Sequence, residues 1–233
     1  QSLTISVNPL PTPTFTVQPG ESVCAGTDAT YSTQTGQLNY IWNVSGVLNT
    51  DYSISSGGIG TTSSTVTLRW LSAGSKTVSV SYSNSNGCTA NAVESVITVQ
   101  AGPVFSACPA DIVQNNNSDA CSAGVSYTAT ATGTPVPLLT YVLTGATTGS
   151  GSGSGSGTAF NKGVTLVTVI ATNSCGTTTC QFTVTLADAK SPNITCPEDF
   201  TAAVNLNCTY IGSIGTASAT DNCDPSVAIT NNA

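Results

Sequence analysis

The chain has 233 residues, of which 6% are charged, against about 25% in an average soluble protein. Four Lys plus Arg against eleven Asp plus Glu give a net charge of −7, and there is no His and no Met. These numbers exclude an electrostatic footprint for nucleic acid or anionic lipid, remove the commonest general base and metal ligand, and leave no apolar run near the ~20 residues that span a bilayer.

In chain order, Tyr40-Ile-Trp-Asn-Val44 alternates so that Tyr40, Trp42 and Val44 share one face. Val66-Thr-Leu-Arg-Trp70 follows, ending on a second Trp beside Leu71 and a Ser-Ala-Gly turn. Lys76–Tyr82 sets Val78, Val80 and Tyr82 on one face and Thr77, Ser79 and Ser81 on the other. Asn86-Gly87 marks a turn. Leu138–Leu143 and Val164–Ile170 flank the Gly-Ser run Gly149–Gly157, which reads as a long mobile loop inside a domain. Gln181–Leu186 alternates again, with Phe182, Val184 and Leu186 on one face. No stretch carries a helical period. Short strands at this spacing predict an all-β chain of tandem immunoglobulin-like β-sandwiches.

The nine cysteines are Cys24, Cys88, Cys108, Cys121, Cys175, Cys180, Cys196, Cys208 and Cys223. Such density in a chain without Cys-x-x-Cys pairs or His predicts disulfides made outside the cytoplasm rather than a zinc site. The chain also repeats. Cys108-Pro-Ala-Asp-Ile and Cys196-Pro-Glu-Asp-Phe lie 88 residues apart, and a further cysteine follows each by 13 and 12 residues, Cys121 and Cys208. Val23-Cys-Ala-Gly resembles Ala120-Cys-Ser-Ala-Gly, and Asn86-Gly-Cys88 resembles Asn173-Ser-Cys175. A period near one sandwich domain places boundaries at 8–101, 102–190 and 191–233, the last lacking its final strand, with 1–7 ending a preceding module. Opening on Gln1, the chain reads as an internal or processed piece. Domain one holds two cysteines, which gives Cys24–Cys88; the internal alignment then gives Cys121–Cys175, which leaves Cys108–Cys180. In domain three Cys208 pairs with Cys223 and Cys196 lacks a partner. Four cysteines allow three connectivities, so these later pairings are one choice among several. The expectation is a disulfide-stapled rod.

These residues support family resemblances. Val23-Cys-Ala-Gly, Tyr40-Ile-Trp-Asn-Val44, Val66-Thr-Leu-Arg-Trp70 with Gly74, and Asn86-Gly-Cys88 make domain one resemble the PKD-like domains of secreted Bacteroidota proteins. Cys-Pro-x-Asp, Asp221-Asn-Cys-Asp224 and Cys180-Gln-Phe-Thr-Val184 make domains two and three resemble hyalin-repeat (HYR) modules, although domain two has no Asp-Asn-Cys and carries the extra Cys175. Arrays of this kind resemble the SprB-type gliding-motility adhesins. The resemblance implies a filament on the cell surface, exported by type IX secretion and associated with the outer membrane. Its partners are then a surface polysaccharide or abiotic substratum and the gliding and secretion machinery. The rival expectation is spacer or carbohydrate-binding modules of a secreted multidomain enzyme.

Few residues invite a site. Trp42 reads as core, packed against an inter-sheet disulfide. Trp70 reads either as core or, exposed at a strand end, as a stacking platform for a sugar ring. Asp188, Glu198, Asp199, Asp221 and Asp224 are the acids that gather near the domain two–three linker, an oxygen-rich set suited to Ca²⁺. The competing reading of Asp-Asn-Cys-Asp is a set of turns closed by Asx side chains. No catalytic constellation is present, and no cofactor is required; the chain does not read as an enzyme.

Overall fold

The computed structural model describes residues 3, 7–116 and 120–230; the segment 1–7 read above as the end of a preceding module lies almost wholly outside the described residues. Among them there are strands and no α-helix. The strands are β1 (Ser22–Cys24), β2 (Asp28–Ser32), β3 (Leu38–Val44), β4 (Tyr52–Gly57), β5 (Thr65–Trp70), β6 (Gly74–Ser83), β7 (Val93–Gln100), β8 (Val104–Ala107) and β9 (Ile112–Asn115). They continue with β10 (Ser122–Gly124), β11 (Thr130–Thr132), β12 (Leu138–Gly145), β13 (Gly149–Ser152), β14 (Ala159–Asn161), β15 (Gly163–Asn173), β16 (Gly176–Ala187), β17 (Asn193–Thr195) and β18 (Ser218–Thr220). Two compact units divide the chain. The first takes the residues up to Ser106 with Ala131–Leu139 and Ile170–Thr179; the second takes Ala107–Thr130, Thr140–Val169 and the residues from Cys180 onward.

In the first unit a four-stranded sheet, ordered β1-β7-β6-β3, faces a three-stranded one, ordered β2-β5-β4. Alternating β-branched and aromatic residues put one face of each strand inward, where they suit a pleated, half-buried surface. Tyr31 from β2, Val66, Leu68 and Trp70 from β5, Val78 and Val80 from β6 and Val99 from β7 are wholly buried. Tyr40, Trp42, Tyr52, Tyr82 and Ile97 complete this core. The Trp42 indole N–H donates to the Ser63 carbonyl at 2.7 Å, and the ring neighbours Phe15. On the other face of β6, Ser79 and Ser81 are buried as well, because Asn43 and Glu94 flank Ser79 and Ile41 lies opposite Ser81.

The second unit holds a two-stranded ladder of β10 with β14 and much of a five-stranded sheet, ordered β13-β12-β15-β16-β9. Val125, Phe160, Val167, Val169, Phe182, Val184 and Leu186 are buried. One device recurs. β1 pairs parallel with β7, and β9 pairs parallel with β16, so a short early strand closes the edge beside the last long strand in each case. From Ser191 onward the β17–β18 ladder is short, and Phe200, Leu206, Ile211 and Ile214 are exposed.

The Gly-Ser run is ordered, not a mobile loop. Gly149–Ser152 forms β13 and pairs antiparallel with β12, Tyr141 opposite Gly151. At Gly151 and at Gly155 an added Cβ would lie 2.8 Å from the Tyr141 ring, so the glycines make the groove in which that ring sits. The Tyr127 hydroxyl donates to the Ser154 carbonyl at 3.0 Å and pins the turn.

The Cys108–Cys180 bridge is the one expected, but Cys24 is bridged to Cys175 and Cys121 to Cys223, not to Cys88 and Cys175 as read from the sequence; Cys88, Cys196 and Cys208 have no partner among the described residues. Cys24–Cys88 fails on register: Cys24 lies opposite Gln100, the last residue of β7, whereas Cys88 precedes the first. The eight residues of that strand separate the two ends by roughly 25 Å. Cys121–Cys175 fails for a similar reason. The Cys121 carbonyl accepts from the Lys162 N–H at 2.8 Å, just before β15, and Cys175 lies past the end of that eleven-residue strand. Cys208–Cys223 fails because Cys223 is taken by Cys121. Cys208 sits in its own turn at φ 57°, its N–H bonded to the Asn205 carbonyl.

Candidate functional site

Three of the five acids expected near the linker, Asp188, Asp221 and Asp224, gather, and two of them, Asp188 and Asp224, meet Lys162. That residue lies between β14 and β15. Its Nζ is 2.7 Å from Asp224 Oδ1 and 3.3 Å from Asp188 Oδ2. Asp188 follows β16 and is largely buried, at 10% side-chain exposure. Its other oxygen accepts from the Lys190 N–H at 3.1 Å and from Asn116 Nδ2 at 3.3 Å. Asn116, itself buried, donates also to the Ala120 carbonyl at 2.9 Å and accepts from the Ala189 N–H at 3.2 Å. It is placed there because β9 pairs with β16 through Asn115 opposite Ala187.

Asp221 closes a turn. Its Oδ1 accepts from the N–H of Cys223 at 2.8 Å and of Asp224 at 2.9 Å, while its Oδ2 is buried without a partner. Oxygens of Asp188 and Asp221 and the Cys223 Sγ lie within 4.8 Å of one another. Calcium wants six to eight hard oxygen ligands. Here the sulfur belongs to a disulfide, and the Lys162 ammonium already occupies one oxygen each of Asp188 and Asp224. As arranged, the donor set fits Lys162 rather than Ca²⁺. Glu198 and Asp199 do not join it; they line a separate open cleft with Pro197, Phe200 and Ile214.

Charge placement tunes these groups. The Lys190 backbone N–H, Lys162 and Asn116 together hold the Asp188 carboxyl below the usual carboxylate range against its burial. Asp224 first, with Asp188, raises Lys162 above the usual lysine value. A second ion pair lies in the first unit. Asp51 accepts from the Ser72 hydroxyl and the Val47 N–H and lies 3.2 Å from Lys76 Nζ, which brings its carboxyl down to about 2. The Lys76 ammonium also stands over the Trp70 ring, 5.9 Å from its centroid. An exposed pair, Arg69–Asp28 at 2.9 Å, also lies in the first unit.

Trp70 is not a stacking platform. It has no solvent exposure, because position 70 continues the inward series Val66, Leu68, Trp70 of β5, and its ring meets Tyr52 edge-on at 5.9 Å. Sequence reasoning missed the Lys162 centre. The signal available was scarcity: with four cations in the chain, each one near a carboxylate is a candidate partner.

No protein-family model matches the chain, and no curated protein does. Among solved structures, the N-terminal eight immunoglobulin domains of Down Syndrome Cell Adhesion Molecule align over 75% of this chain and 24% of that one, at 17% identity and a TM-score of 0.44. A three-domain titin fragment with an E-to-A mutation aligns over 75% and 65%, at 15% identity and a TM-score of 0.44. Immunoglobulin domains 1–4 of Sidekick-1 align over 75% and 48%, at 16% identity and a TM-score of 0.41. The chain spans less than two-thirds of each of these three. At such identities the likeness concerns fold alone, and the strand order above carries the class: all-β, tandem immunoglobulin-like β-sandwiches.

Proposed function

We infer that the chain is a structural repeat segment of a very large filamentous adhesin on the cell surface, a PKD-like module followed by HYR-like modules. The observation that carries this reading is covalent. Cys24–Cys175 and Cys121–Cys223 each join one sequence repeat to the next, a use of cysteine that suits a chain under tension outside the cytoplasm. Polar strand faces with few charged residues offer many weak contacts to a polysaccharide or an abiotic substratum, and multivalency supplies the grip through effective concentration. The role is structural rather than catalytic. Gliding motility, export by type IX secretion and docking to outer-membrane machinery are the finer parts of the proposal, and they rest on the resemblance of the sequence motifs.

The size and address of the native polypeptide test it. A surface-exposed chain many times the length of these 233 residues is the expected result, read on a gel calibrated for very large proteins together with protease shaving of intact cells. A modest secreted polypeptide carrying a catalytic domain overturns the reading in favour of spacer or carbohydrate-binding modules of an enzyme.

A further inference from the structure

Three cysteines, Cys88, Cys196 and Cys208, have no partner among the described residues. We propose that Cys88 and Cys208 are the two open ends of a disulfide ladder, in which each repeat sends one cysteine forward to a turn of the next. The proposal deepens the repeat reading above and does not depend on what the filament grips.

The cysteines fall into two kinds. Cys24, Cys121 and Cys208 hold the same place in successive repeats, on the sequence matches given above. Cys24 ends β1 and Cys121 immediately precedes β10. Both bond forward, over 151 and 102 residues, to a cysteine of the following repeat. The two receiving cysteines share a local structure. Asn173 Oδ1 accepts from the Cys175 N–H at 2.9 Å, and Asp221 Oδ1 accepts from the Cys223 N–H at 2.8 Å. An Asx-x-Cys turn thus presents the sulfur in both, held by a side-chain-to-backbone bond.

Asn86-Gly-Cys88 has the same sequence pattern; its Cys88 N–H is also taken by an Asn side chain, here that of Asn84, four residues earlier rather than two, at 3.0 Å. Cys88 is therefore the receiving cysteine of the first repeat, and Cys208 the forward-reaching cysteine of the third. Their partners by this rule are a forward cysteine of a repeat before the first and an Asx-x-Cys cysteine of a repeat after the third. Cys196 follows from the other pairing. Its equivalent, Cys108, bonds Cys180 at a separation of 72 residues, which puts the partner of Cys196 past residue 233 in its own repeat. Two pairing rules then account for all nine cysteines, the three unpaired ones included.

Each rung forms when two thiols lose two protons and two electrons. The electrons reduce the active-site disulfide of an exported thiol oxidoreductase as the S–S bond closes. Cys208 is exposed and accessible to such an exchange.

The test is a disulfide map of the full-length chain from its native source. Free thiols are alkylated with N-ethylmaleimide in denaturant without reduction. The protein is then cut by pepsin at pH about 2, where thiolate is absent and bridges do not reshuffle. The expected map leaves Cys88 and Cys208 unalkylated. The Cys208 peptide releases, on reduction, a peptide with an Asn- or Asp-x-Cys sequence from outside these residues. A Cys208–Cys88 bond between two copies keeps the rule and identifies the receiver as a second copy. Alkylation of Cys88 or Cys208, or a Cys208–Cys223, Cys208–Cys196 or Cys24–Cys88 bond, overturns the ladder. This map can fail while the size and surface address hold, and the reverse, so the two readings stand or fall separately.

Discussion

Trp70 and Asp51 show how single side chains hold the first sandwich. Trp70 has no exposed surface and closes the end of β5 against Tyr52. Trp70→Ala leaves a cavity and is expected to cost about 3–5 kcal/mol in chemical denaturation; a loss of sugar binding with stability intact would contradict its burial. Asp51 has a pH signature. Its carboxyl lies at about 2 in the fold against an ordinary 3.8, chiefly through the Ser72 hydroxyl. A depressed carboxylate contributes stability that is fully present above its unfolded value and lost as pH falls through the folded one. The difference in melting temperature between wild type and Asp51→Asn should therefore be constant above about pH 5 and shrink between about pH 4 and pH 2. A difference independent of pH would remove the ionic part of that contact. Lys162 gives a test by ion addition. Millimolar Ca²⁺ is expected to leave the wild-type melting temperature unchanged, and to raise that of Lys162→Met, whose Asp188 and Asp224 lose their cation. A calcium shift in the wild type would return those carboxylates to an ion.

At the scale of elements, the strands were legible and their long-range partners were not. Alternation marks Val78, Val80 and Tyr82 as inward-facing, and all three are buried in β6, because a period of two is a local property of the pleat. The other face of β6 was not legible: Ser79 is covered by neighbours from β3 and β7, which no local pattern announces. Cysteine pairing fails for the same reason. Matching Cys24 with Cys88 assumes that the two cysteines of one domain meet each other, whereas the parallel register of β1 with β7 puts them at opposite ends of that strand. The Gly-Ser run misleads by composition alone, since flexibility in isolation does not prevent glycines from packing under Tyr141. Two substitutions separate these effects. Gly153→Ala and Gly155→Ala both place a side chain at positive φ, 82° and 79°, but at Gly153 the space is open and at Gly155 the new Cβ meets the Tyr141 ring. Both are expected to lose ~1–2 kcal/mol to left-handed strain, and Gly155→Ala a further ~1–3 kcal/mol to the clash. Equal urea midpoints for the two variants would mean that the run is not packed against Tyr141.

For the whole molecule, repetition was the strongest signal in the sequence, and it bears on covalent connectivity more than on any ligand. The match of Cys108-Pro with Cys196-Pro and of Cys24 with Cys121 is visible without a structure. Which repeat each cysteine bonds to is not, because the choice depends on strand ends brought together over 72 to 151 residues. The candidate site divides in the same way: Asp188, Asp221 and Asp224 could be grouped from the linker and the Asx-rich turn, but Lys162 comes from the connection between β14 and β15, 26 residues before Asp188.

The scarcity of cations has a consequence for digestion. Arg69 and Lys76 lie inside paired strands, and the Lys162 N–H is bonded across to Cys121, whereas Lys190 lies in the segment between β16 and β17. Limited tryptic cleavage of residues 1–233 is expected to cut after Lys190 first. The fragment starting at Ser191 should then stay with the body on a non-reducing gel, tethered through Cys121–Cys223, and separate from it once dithiothreitol is added. Release without reductant would show that this bridge is not formed. A nick in the chain at that point breaks the backbone and leaves the polymer whole.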